Sequence, residues 1–219
     1  LRSLVGSEMC IRDRILIQRN NLLKQIRFQN NLIETLEAWD IQLVKYGSEV
    51  IKYREKFIKH LGEVCQKIHN KLTGGKEQIL LEYDRNVGYD SYLTELKKKR
   101  QKDLKYFTTT VGPHRDDISF VVNGIDIRKY GSQGQQRTAA LSLKLAQIQL
   151  MREVMKESPI LLLDDVLSEL DSNRKTYLLE SIKDTQTIIT CTGLDEFISK
   201  HLPIHRMFQI KAGKIVKEN

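Results

Sequence analysis

Apolar residues in the first third of the chain follow the spacing of a helix. Between Leu22 and Leu72 they recur every three or four residues, which places them on one face of an α-helix. An Asn-rich interruption at residues 28–35 predicts two helices within 15–72, and Thr73-Gly74-Gly75 predicts the end of the second helix. The apolar face is wider than the two-in-seven seam of a coiled coil, so the pattern favours a packed helical lobe.

Shorter apolar segments and polar turns alternate along the rest of the chain. β-branched residues bounded by Gly-Pro and Asn-Gly pairs predict strands, and Asn123-Gly124 is a strong hairpin signal. The predicted strands are 78–83, 107–111, 118–122, 160–163 and 187–191, followed by a hairpin of 208–210 with 214–216. The predicted helices are a Lys-rich one at 90–105, a long one at 135–156 and a shorter one at 171–184, with Asp171 or Ser172 as its N-cap.

Composition excludes several classes of protein. The chain has 219 residues, of which 40% are hydrophobic and 29% charged, so it can bury a core and is neither disordered nor membrane-like. No apolar run approaches the roughly 20 residues that a membrane helix needs. Cys10, Cys65 and Cys191 are far apart, and they form neither a disulfide framework nor a zinc spacing. The sequence therefore predicts a protein of the reducing cytosol.

The charge of the chain is concentrated in its first half. The formal net charge is +8, and residues 15–105 contain 18 basic and 12 acidic residues. Residues 106–219 are nearly neutral, with 15 basic and 14 acidic residues. A basic first half permits a nucleic-acid partner but does not by itself indicate one.

Two consecutive carboxylates follow the apolar run at 160–163. Four apolar residues in a row predict a strand buried on both faces of a parallel sheet, and α/β proteins bind ligands at the carboxyl ends of such strands. In a nucleotide site Asp164 would hold Mg²⁺, and Asp165 would orient or deprotonate the attacking water. The alternative is that one aspartate simply caps the following helix.

Small and amide side chains precede the long helix predicted at 135–156. Free N–H groups and the positive end of the helix dipole make a helix N-terminus suitable for a phosphate. Gly134 adds no side chain that would obstruct the approach of the backbone to a ligand. The alternative is an ordinary N-capped helix. The residues in question are Ser132, Gln133, Gly134, Gln135, Gln136 and Arg137.

The order of these elements resembles the second half of an ABC-type ATPase head, and most closely that of the RecF family. Gly-Ser-Gln-Gly-Gln-Gln-Arg-Thr at 131–138 resembles the family's signature motif. The run at 161–171, which ends at Asp171, resembles its Walker B motif and D-loop, and Val-Gly-Pro-His-Arg-Asp-Asp at 111–117 is similar to a further family motif. The resemblance covers about residues 15–219.

The resemblance implies an α/β fold, a partial ABC-type head with a mainly helical second lobe. The expected regions are a non-native tail at 1–14, helical lobe II at 15–105 and the C-terminal part of the head at 106–219. Two heads would close around ATP and Mg²⁺, with Asp164 as the metal ligand and Asp165 and Thr190 as catalytic residues. The signature turn of the other subunit, Ser132–Arg137, and Asp171 would contact the nucleotide. The family further implies binding of duplex DNA and gap junctions, action with RecR and RecO to load RecA, and a place at the nucleoid.

Three features depart from the family pattern. Gly75-Lys76 and Gly213-Lys214 are not followed by Ser or Thr, so the sequence contains no P-loop. We therefore expect a C-terminal fragment that does not hydrolyse ATP by itself. The predicted strand at 187–191 ends in Thr190-Cys191 where many ABC-type ATPases place a histidine, and Asp165 stands where many use glutamate.

Two further assignments concern charged residues outside the motifs. His114, Asp116 and Asp117 could form a metal cluster. The favoured interpretation is a turn in which Arg115 and the carboxylates form structural ion pairs. The basic run at 97–102 could contact DNA phosphates or could be a solvated helix face. Two alternative functions also stay open, namely another SMC-like DNA-repair ATPase head and a non-enzymatic helical DNA-binding or adaptor protein.

Overall fold

The computed structural model describes residues 2–156, 158–192 and 204–218, and the chain divides into two compact units. Unit 1 consists of Leu1–Glu63 and Ile79–Ser132, and unit 2 of Val64–Gln78 and Gln133–Asn219. Each unit is therefore built from two separate segments of the chain. In the described ranges, none of the helices combines the length and the apolarity needed to cross a bilayer.

Unit 1 is dominated by two helices, as the apolar spacing predicts. Helix α1 spans Arg2–Ile26, a 3₁₀ helix covers Asn30–Thr35, and α2 runs from Leu36 to Leu72, so its last turns belong to unit 2. The Asn-rich segment does separate two helices. The core of unit 1 includes one cluster of buried apolar side chains formed by Ile15, Leu43, Ile51, Val87, Tyr92, Leu96 and Val111, and another formed by Leu22, Leu23, Ile26 and Leu36.

The first residues of the chain are helical. Helix α1 begins at Arg2 and continues without a break past residue 14. The side chain of Arg12 is buried and forms an ion pair with Asp13 at 2.8 Å. A tail without regular structure would not bury an arginine, so this segment takes part in the helical unit, while its non-native origin stays a prediction.

A small antiparallel sheet lies in the second segment of unit 1. Strand β1 (Ile79–Asp84) pairs with β2 (Asp117–Val122), with Ile79 opposite Val122, and β2 pairs with β3 (Ile125–Asp126). Asn123 and Gly124 connect β2 to β3 with φ of +49° and +82°, which confirms the predicted hairpin turn. Helix α3 (Tyr92–Tyr106) lies between β1 and β2 in the chain.

Residues 107–111 do not form the predicted strand. Phe107 ends α3 in the left-handed region, with φ of +54° and ψ of +32°. The carboxylate of Asp103 then accepts hydrogen bonds from both the backbone N–H and the hydroxyl of Thr110, at 2.9 and 2.7 Å. The prediction was wrong because side-chain acceptors, rather than a neighbouring strand, satisfy the backbone of this β-branched segment.

A buried ionic network joins the elements of unit 1. The Arg19 side chain is fully buried and donates to Asp40 at 2.7 Å and to Asp103 and Thr109 at 2.8 Å each. Arg100 donates to the other oxygen of Asp40 at 2.9 Å. Because Arg19 lies in α1 and its partners lie in α2, α3 and the segment after α3, its guanidinium group connects four parts of the fold.

Unit 2 contains the expected helix–strand–helix–strand order. Helix α5 (Gln133–Met155) precedes β4 (Leu161–Asp164), α6 (Ser172–Ser181) and β5 (Thr187–Thr190), and β4 and β5 pair in parallel. Strands β6 (Phe208–Lys211) and β7 (Lys214–Glu218) form the predicted C-terminal hairpin, with Ala212 and Gly213 at positive φ. Asp171 is the N-cap of α6, as predicted.

Strand β4 is buried on one face only, which corrects the prediction for its four apolar residues. Leu163 is buried, but Leu162 is 69% exposed and its parallel neighbour Ile188 is 56% exposed. Successive side chains of a strand point to opposite faces, so a run without polar residues cannot reveal which face is covered. The parallel pairing itself follows the prediction.

Candidate functional site

The carboxyl ends of β4 and β5 bring together three of the predicted site residues. The Thr190 hydroxyl donates to Oδ1 of Asp164 at 2.5 Å, and the backbone N–H of Asp165 donates to the same hydroxyl oxygen at 3.2 Å. The Asp165 N–H also lies 3.2 Å from the carbonyl oxygen of Thr190. Parallel pairing of Asp164 with Thr190 produces this arrangement, because it places the last residues of both strands side by side.

Both carboxylates of this cluster are exposed, so a cation and a water molecule can reach them. The hydroxyl of Thr190 fixes one oxygen of Asp164 and leaves the side chain oriented at the end of the strand. Two adjacent oxygen-bearing side chains are the ligand type that Mg²⁺ prefers. Asp165 has φ of +50° and ψ of +20°, so the chain turns sharply at this residue and directs its side chain away from the line of the strand.

Asp171 has a structural contact in addition to its predicted role. Its Oδ1 accepts the backbone N–H of Arg174 at 3.0 Å, and Oδ2 lies 3.5 Å from Nε of Arg174. This is the N-cap arrangement that an aspartate before a helix commonly adopts. The nucleotide contact that the family resemblance implies for Asp171 stays a prediction.

The signature turn, defined here as Ser132–Arg137, begins helix α5. Gly131 precedes it and closes the short helix α4 (Ile127–Tyr130). A Cβ atom on Gly131 would lie only 2.6 Å from the carbonyl oxygen of Ile127, so no larger residue fits without a shift of the backbone. Ser132, Gln133 and Gly134 are exposed, and the first N–H groups of α5 therefore face a position that a ligand can reach.

Two side chains hold the first turns of α5. The hydroxyl of Thr138 donates to the carbonyl oxygen of Gly134 at 2.7 Å. The side-chain amide of Gln135 donates to Oε1 of Glu77 at 3.2 Å. The signature turn is therefore tied to the segment after α2, although the two are more than 50 residues apart in the sequence.

Residues 111–117 form a structural turn rather than a metal cluster. Asp116 accepts hydrogen bonds from the Tyr83 hydroxyl and, at 2.8 Å, from the backbone N–H of Asn86. Asp117 pairs instead with Arg128 at 3.0 Å, and Nε2 of His114 donates to the carbonyl oxygen of Thr109 at 2.9 Å. Within the described ranges, no three or more His, Cys, Asp or Glu side chains are grouped so that they could hold a metal ion.

The basic run on α3 is partly neutralised by acidic neighbours. Lys97 pairs with Glu37 at 2.8 Å, and Arg100 pairs with the buried Asp40. Lys98 lies 3.4 Å from Glu95 on the same helix. The run therefore offers fewer uncompensated charges to a nucleic acid than its sequence suggests.

The unfolding free energy of the chain should decrease on acidification. Burial is the main factor that lowers the pKa of both His69 and His114 in the folded chain, with Glu77 and the Thr109 carbonyl respectively opposing the shift. The unfolded chain thus binds protons first, so the stability that these groups contribute is complete above about pH 6.5 and declines below it. The expected slope is at most about 1.4 kcal/mol per pH unit for each group.

Urea unfolding between pH 5 and pH 8 measures this slope. His69→Gln should reduce the slope, because the substituted side chain does not titrate. His60→Gln, at an exposed position of the same helix, is the matched control for the substitution itself. A wild-type stability that is flat from pH 8 to pH 5 would contradict the prediction.

Sequence reasoning missed three residues that are linked to Gln135 by hydrogen bonds. His69 and Ser142 are buried, and the partly exposed Glu77 connects His69 to Gln135. One signal was available, because His69 lies on the apolar face of α2 between Cys65 and Leu72, where a histidine must find polar partners. Glu77 gave no such signal, since it lies in an irregular segment between a helix and a strand.

Comparison with known proteins identifies similar chains. No protein-family model matches this sequence. The chain is 50% identical over 225 residues to the DNA replication and repair protein RecF of Agathobacter rectalis, an alignment that covers 98% of this chain and 62% of the relative. It is 53% identical over 209 residues to the RecF of Lachnospira eligens, covering 94% of this chain and 58% of that protein.

A solved structure has the same fold. It is that of the recombination mediator protein RecF-ATP in the RecFOR pathway, with a TM-score of 0.87 and 33% sequence identity. The match covers 99% of this chain and 59% of that one. The present chain thus spans less than two thirds of the length of the relatives that it matches.

Proposed function

Because the chain belongs to the RecF family, we propose that it forms part of an ATP-controlled protein of DNA replication and repair. Its fold is the α/β fold of an ABC-type head with a mainly helical lobe. The observation that carries the proposal is the cluster of Asp164, Asp165 and Thr190 at the ends of two parallel strands. This is the position at which α/β folds bind ligands.

The residues of this cluster suit a nucleotide with its metal ion. Asp164 would hold Mg²⁺, with its orientation fixed by Thr190, and Asp165 would orient or deprotonate the water that attacks the terminal phosphate. When bound, Mg²⁺ neutralises the charge that develops on the phosphate oxygens. Thr190 contacts Asp164 directly, so we assign it a positioning role beside the catalytic one suggested by its place in the sequence.

The signature turn would act on the nucleotide of a second copy. We propose that the signature turn presents backbone N–H groups and the side chains of Ser132, Gln133, Gln135, Gln136 and Arg137 to the phosphates bound by the partner head, with Gly134 leaving room for them. Asp171 is proposed to contact the same nucleotide. Each site is then complete only in the closed dimer. Binding of ATP would therefore favour dimerisation, and hydrolysis would release it.

We propose that the closed dimer binds DNA. The basic excess within residues 15–105 supports an electrostatic contact with duplex DNA and with duplex beside single-stranded gaps. RecR and RecO would act with the protein to load RecA in gap repair and the SOS response. Such a role would place the protein at the nucleoid in the cytoplasm.

Ser132→Arg tests the proposal. The substitution should be made in a joined protein, in which this chain is connected to the part of the Agathobacter rectalis relative that it does not cover. We expect ATP binding to stay within about twofold of wild type, whereas ATP-dependent dimerisation should be lost, because a long cation would occupy the space of the phosphate at the helix N-terminus. Sedimentation velocity with and without ATP measures the dimer.

Ser91→Arg is the matched control, because Ser91 is exposed and precedes a helix in the same way but lies outside the signature turn. This variant should dimerise like the wild type. Normal ATP-dependent dimerisation of the Ser132→Arg protein would overturn the assignment of the turn.

A further inference from the structure

A buried histidine connects two helices of unit 2. His69, in the last turns of α2, is fully buried, with Nδ1 at 2.9 Å from the Ser142 hydroxyl oxygen on α5. Its Nε2 lies 3.2 Å from Oε2 of Glu77. Gly74 and Gly75 end α2 with φ of +61° and +78°, and the reversal of the chain at these residues returns Glu77 to the histidine.

The hydrogen-bond roles in this group follow from the number of protons available. The Glu77 carboxylate can only accept, so Nε2 of His69 carries the proton that is donated to it. In the neutral ring Nδ1 is then an acceptor, and the Ser142 hydroxyl donates to it. The hydroxyl oxygen of Ser142 is also 2.8 Å from the carbonyl oxygen of Thr138, which becomes the alternative acceptor if Nδ1 gains a proton.

The second oxygen of Glu77 connects this group to the signature turn. Oε1 accepts the side-chain amide of Gln135 at 3.2 Å, while Oε2 accepts from His69. Ser142 to His69, His69 to Glu77 and Gln135 to Glu77 are thus three successive hydrogen bonds from the middle of α5 back to its first turn. Buried networks of this kind fix one geometry, because a group left without its partner in the interior is costly.

Apolar side chains would fill the space of His69 and Ser142 without the cost of burying polar groups. The presence of His69, Glu77 and Ser142 here is therefore better explained by the side chain that they orient than by a contribution to stability. That side chain is Gln135, and a phosphate site at a helix N-terminus depends on such orientation to within about 0.5 Å.

We infer that Glu77 and His69 are positioning residues for the signature turn, acting through Gln135. This inference rests on the proposed function, because the turn is the part of the site that meets the nucleotide of the second copy. Neither residue touches the nucleotide in this assignment. Their effect should therefore appear in dimer closure and not in the binding of ATP to one copy.

The first experiment uses the 219-residue chain and needs no nucleotide. Hydrogen exchange of the backbone amides of residues 137–142, which donate within the first turns of α5, is measured for the wild type, Glu77→Ala, Gln135→Ala and the double variant. Glu77→Ala should increase exchange by about tenfold, as expected for the loss of hydrogen bonds to a charged group. The double variant should equal Glu77→Ala, because removing Glu77 already removes its hydrogen bond with Gln135.

The second experiment measures the ATP concentration at half-maximal dimerisation in the joined protein described above. Glu77→Ala should raise this concentration about tenfold while the Kd of ATP for the monomer stays within twofold. Glu77→Gln should keep the ATP concentration close to the wild-type value. Its amide can accept from His69 through the oxygen and donate through the nitrogen to Gln135, once the Gln135 amide has rotated to present its oxygen. Glu180→Ala, an exposed acidic position of unit 2, is the matched control and should resemble wild type.

The two experiments separate the inference from the proposed function. If amide exchange in Glu77→Ala is unchanged, or if the effects in the double variant are additive, the inference is overturned regardless of the dimerisation result. A wild-type joined protein that does not dimerise with ATP would overturn the proposed function, while the exchange data would still decide the positioning role. Faster exchange together with unaltered dimerisation would show that the turn's orientation does not control closure, which also overturns the inference.

Discussion

Replacing Arg19 by methionine should lower the free energy of unfolding by about 3–5 kcal/mol, the range for removing one partner from a buried ionic network. Methionine has a similar length, so the main effect is the loss of charge and of donors. Asp40 and Asp103 would lose the guanidinium that lies 2.7 and 2.8 Å from their oxygens, and both carboxylates are fully buried. Urea unfolding followed by circular dichroism measures the change.

Lys52→Met is the matched control for this prediction. Lys52 forms an ion pair with Glu49 at 2.9 Å, but both side chains are more than 40% exposed, and such pairs contribute little to stability. The control should therefore change the unfolding free energy by less than about 0.5 kcal/mol. An Arg19 variant as stable as the Lys52 variant would show that the network is not required for the fold of unit 1.

Asp165→Asn should reduce ATP turnover in the joined protein by about 10²- to 10⁴-fold, the contribution expected of a general base. Asparagine has nearly the same shape as aspartate and can keep the backbone hydrogen bonds of residue 165 to Thr190, but it cannot take a proton. ATP should stay bound, because Asp164 is unchanged. The unhydrolysed nucleotide should then hold the dimer closed.

Turnover and sedimentation measured on the same sample test both parts of this expectation. Asp184→Asn is the control, since Asp184 is an exposed aspartate in the turn between α6 and β5. It should hydrolyse ATP at the wild-type rate. If Asp165→Asn also keeps the wild-type rate, Asp165 is not the base, and its place after the strand is explained by the turn alone.

The helices and the hairpin turn of this fold could be predicted because their sequence signals are local. Apolar spacing predicted the two long helices and their interruption, and the Asn123-Gly124 pair predicted the hairpin. The parallel pairing of β4 with β5 followed from the strand–helix–strand order. Residues 107–111 have the same β-branched character as a strand, but their backbone N–H groups donate to the side chains of Asp103, seven residues before Thr110, and of the distant Asn20.

The candidate site was predictable where its residues are adjacent in the sequence or end neighbouring strands. Asp164, Asp165 and Thr190 fall in this class, and so does the signature turn at the start of α5. The position of His69 on an apolar helix face was a signal, but its link to the signature turn could not be predicted, since Gln135 and Glu77 are joined by one contact between an irregular segment and a helix. The Arg19 network was missed for the same reason, because its partners lie 21 to 90 residues away.

The left-handed backbone at Asp165 restricts which residues evolution can place there. Aspartate, asparagine and glycine adopt this conformation readily, whereas for other residues it costs roughly 1–2 kcal/mol. A glutamate base would have to bear that strain, but an asparagine would not. In the proposed site, a single substitution without a penalty in folding would thus separate a hydrolysing protein from one that holds its nucleotide.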